Sequence, residues 1–293
     1  YTCFAMVIVY MLASVVIFLK YKTTIELHKR ITIATYLIAT IGVTIFQIRY
    51  TQALVTCLVP TIAIIGAYLN LENPLFVRLQ KQHDEMVMGF ATLIESRDQS
   101  TGGHIRRTTK YVELLAKEAA KEKIYKGILT KDYIQNLIMA APMHDIGKVT
   151  IPDTILQKAG KLTTEEYKIM KTHAEKGSEI IKSTFGSVGD EEYEKIAYEV
   201  AYYHHEKWDG SGYPTGKKAY EIPLCARIMA IADVFDALSS SRCYKEPMPL
   251  MQCFEIIKND AGQGFDPLLV EIFLQNRRQI EKICEENNSK KEY

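Results

Sequence analysis

The sequence predicts an all-α chain in which transmembrane helices and a linker helix precede a helical bundle. Three observations carry that expectation. The chain opens on three apolar runs without charge, each close to the ~20 residues that span a bilayer as a helix. From Asn73 onward apolar residues recur at helical spacing between glycine and proline clusters, with no strand-like alternation of any length. Capping residues stand where that periodicity begins.

The elements follow in order. Residues 1–19, 31–48 and 50–71 contain no charged side chain. Lys20, Lys22, Lys29 and Arg30 separate the first two runs, Arg49 alone separates the second and third, and Arg78 and Lys81 follow. The positive-inside bias puts the first loop and everything past residue 72 in the cytoplasm. The chain thus reads as a multi-pass cell-membrane protein with a lipid bilayer as partner. It opens on Tyr1 inside an apolar run, with no initiator Met and no basic flank, which reads as the interior of a longer chain and not as a signal peptide. A linker helix is expected over 73–97, a bundle domain over 90–283 and a polar tail over 284–293.

Within the bundle, a helix from about His104 carries the stripe Ile105, Thr108, Val112, Leu115 and Ala119. Thr130 can cap the next helix, which runs into Met143-His144-Asp145. Thr163 and Glu166 form a capping-box pattern opening the helix of His173. Ser183 to Asp190 reads as a loop, and the following helix ends near His204-His205. Trp208 to Pro223 is a long loop, Leu224 to Leu238 a helix with a strong buried face, and Asp266-Pro267 the start of the last helix.

Composition excludes some functions. Beyond residue 72 there are 31 basic residues against 33 acidic ones, a net of −2. That balance gives no broad basic face for polymeric nucleic acid. The six cysteines show no CxxC or Cys-His spacing and read as small hydrophobes.

The chemistry lies in the histidines. His144-Asp145 supplies an imidazole and a carboxylate from adjacent positions, directly after the apolar run Leu137 to Met143. A buried carboxylate must be paired, protonated or bound to a cation. Of seven histidines, His28 and His83 sit in polar settings with no such company, whereas His104, His144, His173, His204 and His205 stand beside glycine, acid or one another. Asp233 lies in a helix apolar nearly all round, where Arg227 or Arg242 pairing competes with metal ligation. Imidazole with carboxylate suits Fe, Mn or Zn, and the lack of thiolates argues against a closed structural zinc site. Seven ligands are too many for one ion, whereas two ions sharing Asp145 would use them, hold a bridging hydroxide and drive phosphoryl displacement. Lys148, three residues after Asp145, is placed to stabilise phosphoryl charge, or else to complement a helix C-terminus.

These residues resemble the HD-GYP family, a branch of the HD-domain phosphohydrolases, over about residues 90–275. Four stretches carry the resemblance: Glu95 to Asp98 leading to Thr101-Gly102-Gly103-His104; His144 to Lys148 with Ile151-Pro152-Asp153; His204-His205-Glu206 followed by Asp209 to Pro214; and Ala232 to Leu238. The resemblance implies an all-helical HD-domain bundle that hydrolyses cyclic di-GMP, a cyclic dinucleotide, to pGpG through a metal-bridged hydroxide, with its catalytic domain cytoplasmic. It also implies one metal on His104, His144, Asp145 and Asp233, and another on Asp145, His173, His204 and His205. Lys148 and Asp145 are the catalytic pair it implies. Gly212, Tyr213 and Pro214 match a substrate-lip motif, and Arg242 and Lys245 match phosphate-contacting positions. The last two follow a serine run at a helix end, where basic residues also complement the dipole, and Tyr213 also suits an ordinary turn.

Some members carry a glutamate four residues before the first ligand histidine and bind a third metal. Ser100 stands there in this chain, so two divalent ions are expected, Fe or Mn ahead of Zn or Mg, with further cleavage of pGpG to GMP in doubt. A non-catalytic nucleotide receptor and a hydrolase of another cyclic dinucleotide are the competing functions, and pairing into a homodimer is left open.

Overall fold

The computed structural model describes residues 74–98, 103–185, 191–240 and 248–288, together with residues 38, 41, 42 and 45. By contacts the chain divides into two compact units, Tyr1–His83 and Asp84–Tyr293, and the second carries the bundle. The described helices are α1 (Pro74–Arg97), α2 (His104–Ala119), α3 (Lys131–Ala140), α4 (Asp153–Leu156), α5 (Thr164–Phe185), α6 (Glu191–Tyr203), α7 (Leu224–Ser239), α8 (Leu250–Asn259), α9 (Pro267–Gln275) and α10 (Arg277–Asn288). Short 3-10 turns occupy Ala141–Met143, Ile146–Thr150 and Ala219–Glu221. Among the described residues there is no strand, only an isolated bridge between Ala261 and Phe265.

The caps set the helix starts. Thr130 Oγ1 accepts the Tyr133 N–H at 3.1 Å. Thr163 and Glu166 close a reciprocal capping box, each side chain accepting the other's backbone N–H at 3.2 and 2.7 Å. Asp266 caps α9 through the Leu268 N–H, with Pro267 in the first turn.

Four local features differ from the sequence expectation. The loop expected from Ser183 starts later, because α5 runs on through Phe185. The α3 helix stops at Ala140, short of His144, because Pro142 has no N–H to donate to Ile138 and the chain tightens into 3-10 turns. The single last helix expected from Pro267 is broken at Asn276, whose side-chain amide donates to the Ile272 carbonyl. Residues 284–288 of the polar tail belong to α10.

The main core is an apolar cluster built chiefly by α2, α3, α6, α7, α8 and α9, and Ile151, Ile155 and Leu156 form a smaller second cluster. The Phe235 ring packs against Tyr111, Phe254 and Phe273 with centroids 5.0–5.4 Å apart. The α7 helix is buried almost all round, which is why an aspartate in it needs a partner. Gly147 allows the turn after Asp145 to lie on the backbone of α5. A Cβ there would collide with the His173 carbonyl and the Gly177 nitrogen. That approach brings Asp145 beside His173.

The multi-pass membrane placement, and the lipid bilayer as partner, are corrected. Among the described residues no helix is long and apolar enough to cross a membrane. The longest, α1 and α5, each carry several acidic and basic residues, which hydrocarbon would not accommodate. The three apolar runs 1–19, 31–48 and 50–71 lie outside the described residues, apart from the four isolated positions.

Candidate metal centre

Five segments far apart in sequence meet at one place. His104 opens α2, His144 and Asp145 lie between two 3-10 turns, His173 sits in α5, His204 and His205 follow α6, and Asp233 lies in α7. The ligand atoms of Asp145, His173, His204 and His205 lie within 4.8 Å of one another, and those of His104, His144 and Asp233 form a second such group. The groups adjoin, with His144 Nε2 lying 3.3 Å from Asp145 Oδ2 and 3.5 Å from His104 Nε2. His104 Nε2 is 3.6 Å from Asp233 Oδ1, and His173 Nε2 is 3.3 Å from Asp145 Oδ1.

What aims these rings is the hydrogen bonding of their other nitrogen. His144 Nδ1 donates to the Ala141 carbonyl (2.9 Å), His173 Nδ1 to Met170 (2.7 Å) and His204 Nδ1 to Val200 (3.0 Å). A proton held on Nδ1 leaves the Nε2 lone pair facing the centre. His104 differs, because its Nδ1 donates to a carboxylate, Asp236 Oδ2, at 2.8 Å. Asp236 is 1% exposed and is clamped by Arg107 Nε at 2.6 Å and Nη2 at 3.0 Å.

The arrangement leaves lone pairs unreconciled. Asp145 Oδ1, His173 Nε2 and His204 Nε2 are buried with no hydrogen-bond partner. With protons fixed on Nδ1, an imidazole acceptor faces a carboxylate acceptor across 3.3 Å. Such orphans cost about 1–3 kcal/mol each unless something positive stands between them. Neutral imidazoles with carboxylates are a donor set for divalent transition metals, so these residues fit the ions the sequence implies.

The electrostatics agree. Burial, then neighbouring imidazoles, push His204 down to about 3 and hold His205 well below its usual value. Burial also lowers His173. His144 is the exception. Burial opposes its charge, yet Asp145 and Asp233 outweigh it and lift the ring to about 8. A proton on that ring stands where a cation would satisfy the same two carboxylates. Burial alone would raise Asp145, but Lys148 and then His144 hold it well below the usual carboxylate range. Lys148 Nζ lies 2.8 Å from Asp145 Oδ2 and 2.5 Å from Asp98 Oδ2. These two carboxylates outweigh its burial and push it above an ordinary lysine.

One wall is the loop after His205. Gly212 lies against the Glu206 and Lys207 backbone, where a Cβ would collide. The buried Glu206 carboxylate accepts from the Thr215 N–H and hydroxyl, both at 2.7 Å, and from the Gly216 N–H at 3.1 Å. The loop so fastened carries Tyr213 and Pro214, and the Tyr213 ring stacks on His205 with centroids 4.7 Å apart. Arg242, Lys245 and Ser100 lie outside the described residues.

The last turn of α1 is tied to the same region. Glu95 accepts the His104 N–H at 2.9 Å, Arg97 donates to the Val149 carbonyl and pairs with Asp153, and Asp98 holds Lys148. Sequence reasoning gave no role to Asp236, Arg107, Glu206 or Asp98. Asp236 had a signal, being a second carboxylate one turn after Asp233 in an apolar helix. Arg227, offered from the sequence as a partner for Asp233, pairs with Asp266 at 2.6 Å.

Comparison with known proteins gives a consistent picture. A family model described as an HD domain matches residues 89–269. A probable cyclic di-GMP phosphodiesterase of Vibrio cholerae serotype O1 is 44% identical over 206 residues, covering 67% of this chain and 45% of that protein. A cyclic di-GMP phosphodiesterase of the same strain is 45% identical over 191 residues, covering 65% and 39%. A 3'3'-cGAMP-specific phosphodiesterase 2, also from that strain, is 42% identical over 211 residues, covering 71% and 38%. The chain thus spans less than half the length of these relatives.

Proposed function

The chain belongs to the HD-domain family, and from that premise we propose that it is a metal-dependent phosphodiesterase hydrolysing cyclic di-GMP to pGpG. The observation that carries this reading is the set of buried, partnerless ligand atoms of Asp145, His173 and His204. Cyclic di-GMP as substrate draws on the names of similar proteins.

Two divalent ions, iron or manganese, would be held by His104, His144, Asp145 and Asp233 and by Asp145, His173, His204 and His205. Bound there, such ions supply Lewis-acid polarisation of phosphoryl oxygens and a nucleophilic water near neutral pH. The remaining work falls to the chain. Asp145 stays ionised because Lys148 and His144 hold it so. Lys148 keeps its proton and is fixed between Asp98 and Asp145, so its charge is preorganised for a developing phosphoryl oxyanion. The Nδ1 hydrogen bonds hold the rings in the tautomer that keeps Nε2 available. Tyr213, fastened through Glu206, shields His205 from water on one side.

The full chain loaded anaerobically with Fe(II) or Mn(II) should convert cyclic di-GMP to pGpG, with product identified by chromatography across a panel of cyclic dinucleotides. Absence of turnover with every member would sink the proposal. Preference for 3'3'-cGAMP would favour the second reading, suggested by the similarity to a protein named for that substrate.

A further inference from the structure

Beside the seven ligands lies a cluster that has no part in holding the centre. Tyr213 stacks on His205. Lys171 Nζ lies 5.7 Å from the Tyr213 centroid and 5.4 Å from that of Tyr167. The order outward from a ligand ring is therefore imidazole, phenol, ammonium, phenol. Tyr167 and Lys171 are one turn apart on α5, Lys171 is two residues before His173, and Tyr167 is 50% exposed.

The charge on Lys171 is not already spent. Lys168 and Lys176 on the same helix pair with Glu165 and Glu179 at 2.9 Å. Among the described residues Lys171 has only the two aromatic faces. A ring face holds an ammonium in place without neutralising it, so the cation stays available to an anion. Lys148, held between Asp98 and Asp145, faces the reacting phosphate instead.

We propose that Lys171 and Tyr167 form a substrate-binding wall for a cyclic dinucleotide, a claim that rests on the phosphodiesterase reading above. Such a ligand joins two phosphodiesters in one ring and projects two purines from it. When one phosphodiester occupies the metal centre, the other lies beside it and needs a counter-charge. The Lys171 ammonium supplies that charge. The exposed face of Tyr167 offers a stacking platform to the adjoining purine, an interaction that every base can make. Tyr213, fixed by the Glu206-anchored loop, forms the rigid inner side of the wall.

The test uses the full chain loaded with Mn(II), with cyclic di-GMP and 3'3'-cGAMP as probes. Lys171→Gln and Tyr167→Ala should each raise KM about tenfold, as expected for one charge-assisted contact or one base stack. Metal content and kcat should hold, Tyr167→Phe should restore KM, and Lys168→Gln should change nothing. An unchanged KM in both variants, or losses confined to kcat or metal content, would overturn the proposal while leaving the phosphodiesterase reading intact. If the wild-type chain turns over neither nucleotide, that reading fails first and the wall falls with it.

Discussion

Asp236→Asn isolates what one buried carboxylate does for the metal centre. Asp236 accepts from three donors: His104 Nδ1 and two nitrogens of Arg107. Asparagine has one oxygen and one NH2, so either orientation sets a donor against a donor. With the amide toward Arg107, a guanidinium loses its acceptor. With the amide toward His104, Nδ1 must accept, the ring proton moves to Nε2, and the lone pair aimed at the metal disappears. Losing such an outer partner typically weakens metal affinity about 10–100-fold, or about 1.4–2.7 kcal/mol. The loss should fall on the ion of His104, His144 and Asp233, while that of Asp145, His173, His204 and His205 stays. Chelator competition should show one weakened site, and plasma mass spectrometry after dialysis should count one ion per chain in place of two. Circular dichroism checks that the variant is folded. A folded Asp236→Asn protein that binds both ions within about threefold of wild type refutes the reasoning, since about threefold is under 1 kcal/mol.

Other expectations follow from the same geometry. Lys148→Met should lower kcat about 10²–10³-fold with metal content intact, and near-normal turnover would remove Lys148 from charge stabilisation. Gly147→Ala forces a side chain into the α5 backbone; overpacking of about 1–3 kcal/mol should lower Tm by several degrees, and an unmoved melt contradicts the close approach. Burial would raise Asp236, but His104 and Arg107 hold it low, so its stabilisation is complete above the unfolded carboxyl value of about 3.9 and drains away as pH falls through the lower folded value. The Tm gap between wild type and Asp236→Asn should accordingly be full at neutral pH and shrink in acid, and a gap that widens there is the contrary result. Chelation should lower Tm by about 10 °C, taking about 4 kcal/mol for an ion present at a thousandfold its Kd, and a melt indifferent to chelator would mean the orphaned lone pairs are not ligands.

How far the sequence reaches depends on the kind of information each feature needs. The helical bundle was legible because caps and periodicity are local, as Thr130, Thr163 with Glu166, and Asp266 illustrate. That imidazoles and carboxylates belong together was legible from residue type in an apolar setting. Their orientation was not. The backbone carbonyls of Ala141, Met170 and Val200 accept the Nδ1 protons, and a carbonyl has no letter in the sequence. The stop of α3 at Ala140 is legible in Pro142, although Pro142 stands inside the continuous apolar run Leu137 to Met143. The Arg227–Asp266 pair spans 39 residues, a separation that no local pattern signals, whereas the six-residue spacing of Arg227 and Asp233 puts them on different faces of α7 and argues against that pair.

The two ligand groups solve one problem in different ways. The larger group offers four donors, and its rings are aimed by neutral carbonyls where a partner is seen. Its carboxylate, Asp145, is partly spoken for by Lys148 at 2.8 Å, which weakens the field it offers a cation. The smaller group has three donors, and among the described residues its Asp233 pairs only with His104 and His144 and with no ammonium. Instead, its His104 is backed by an ionised Asp236, which fixes the ring's tautomer and adds negative charge behind it. Donor number is thus set against backing charge. Since Asp145 can serve both groups, an ion held in either one would draw its charge away from Lys148. Part of the ammonium's charge would then be free for an incoming phosphate, so loading the centre would also ready Lys148 for substrate.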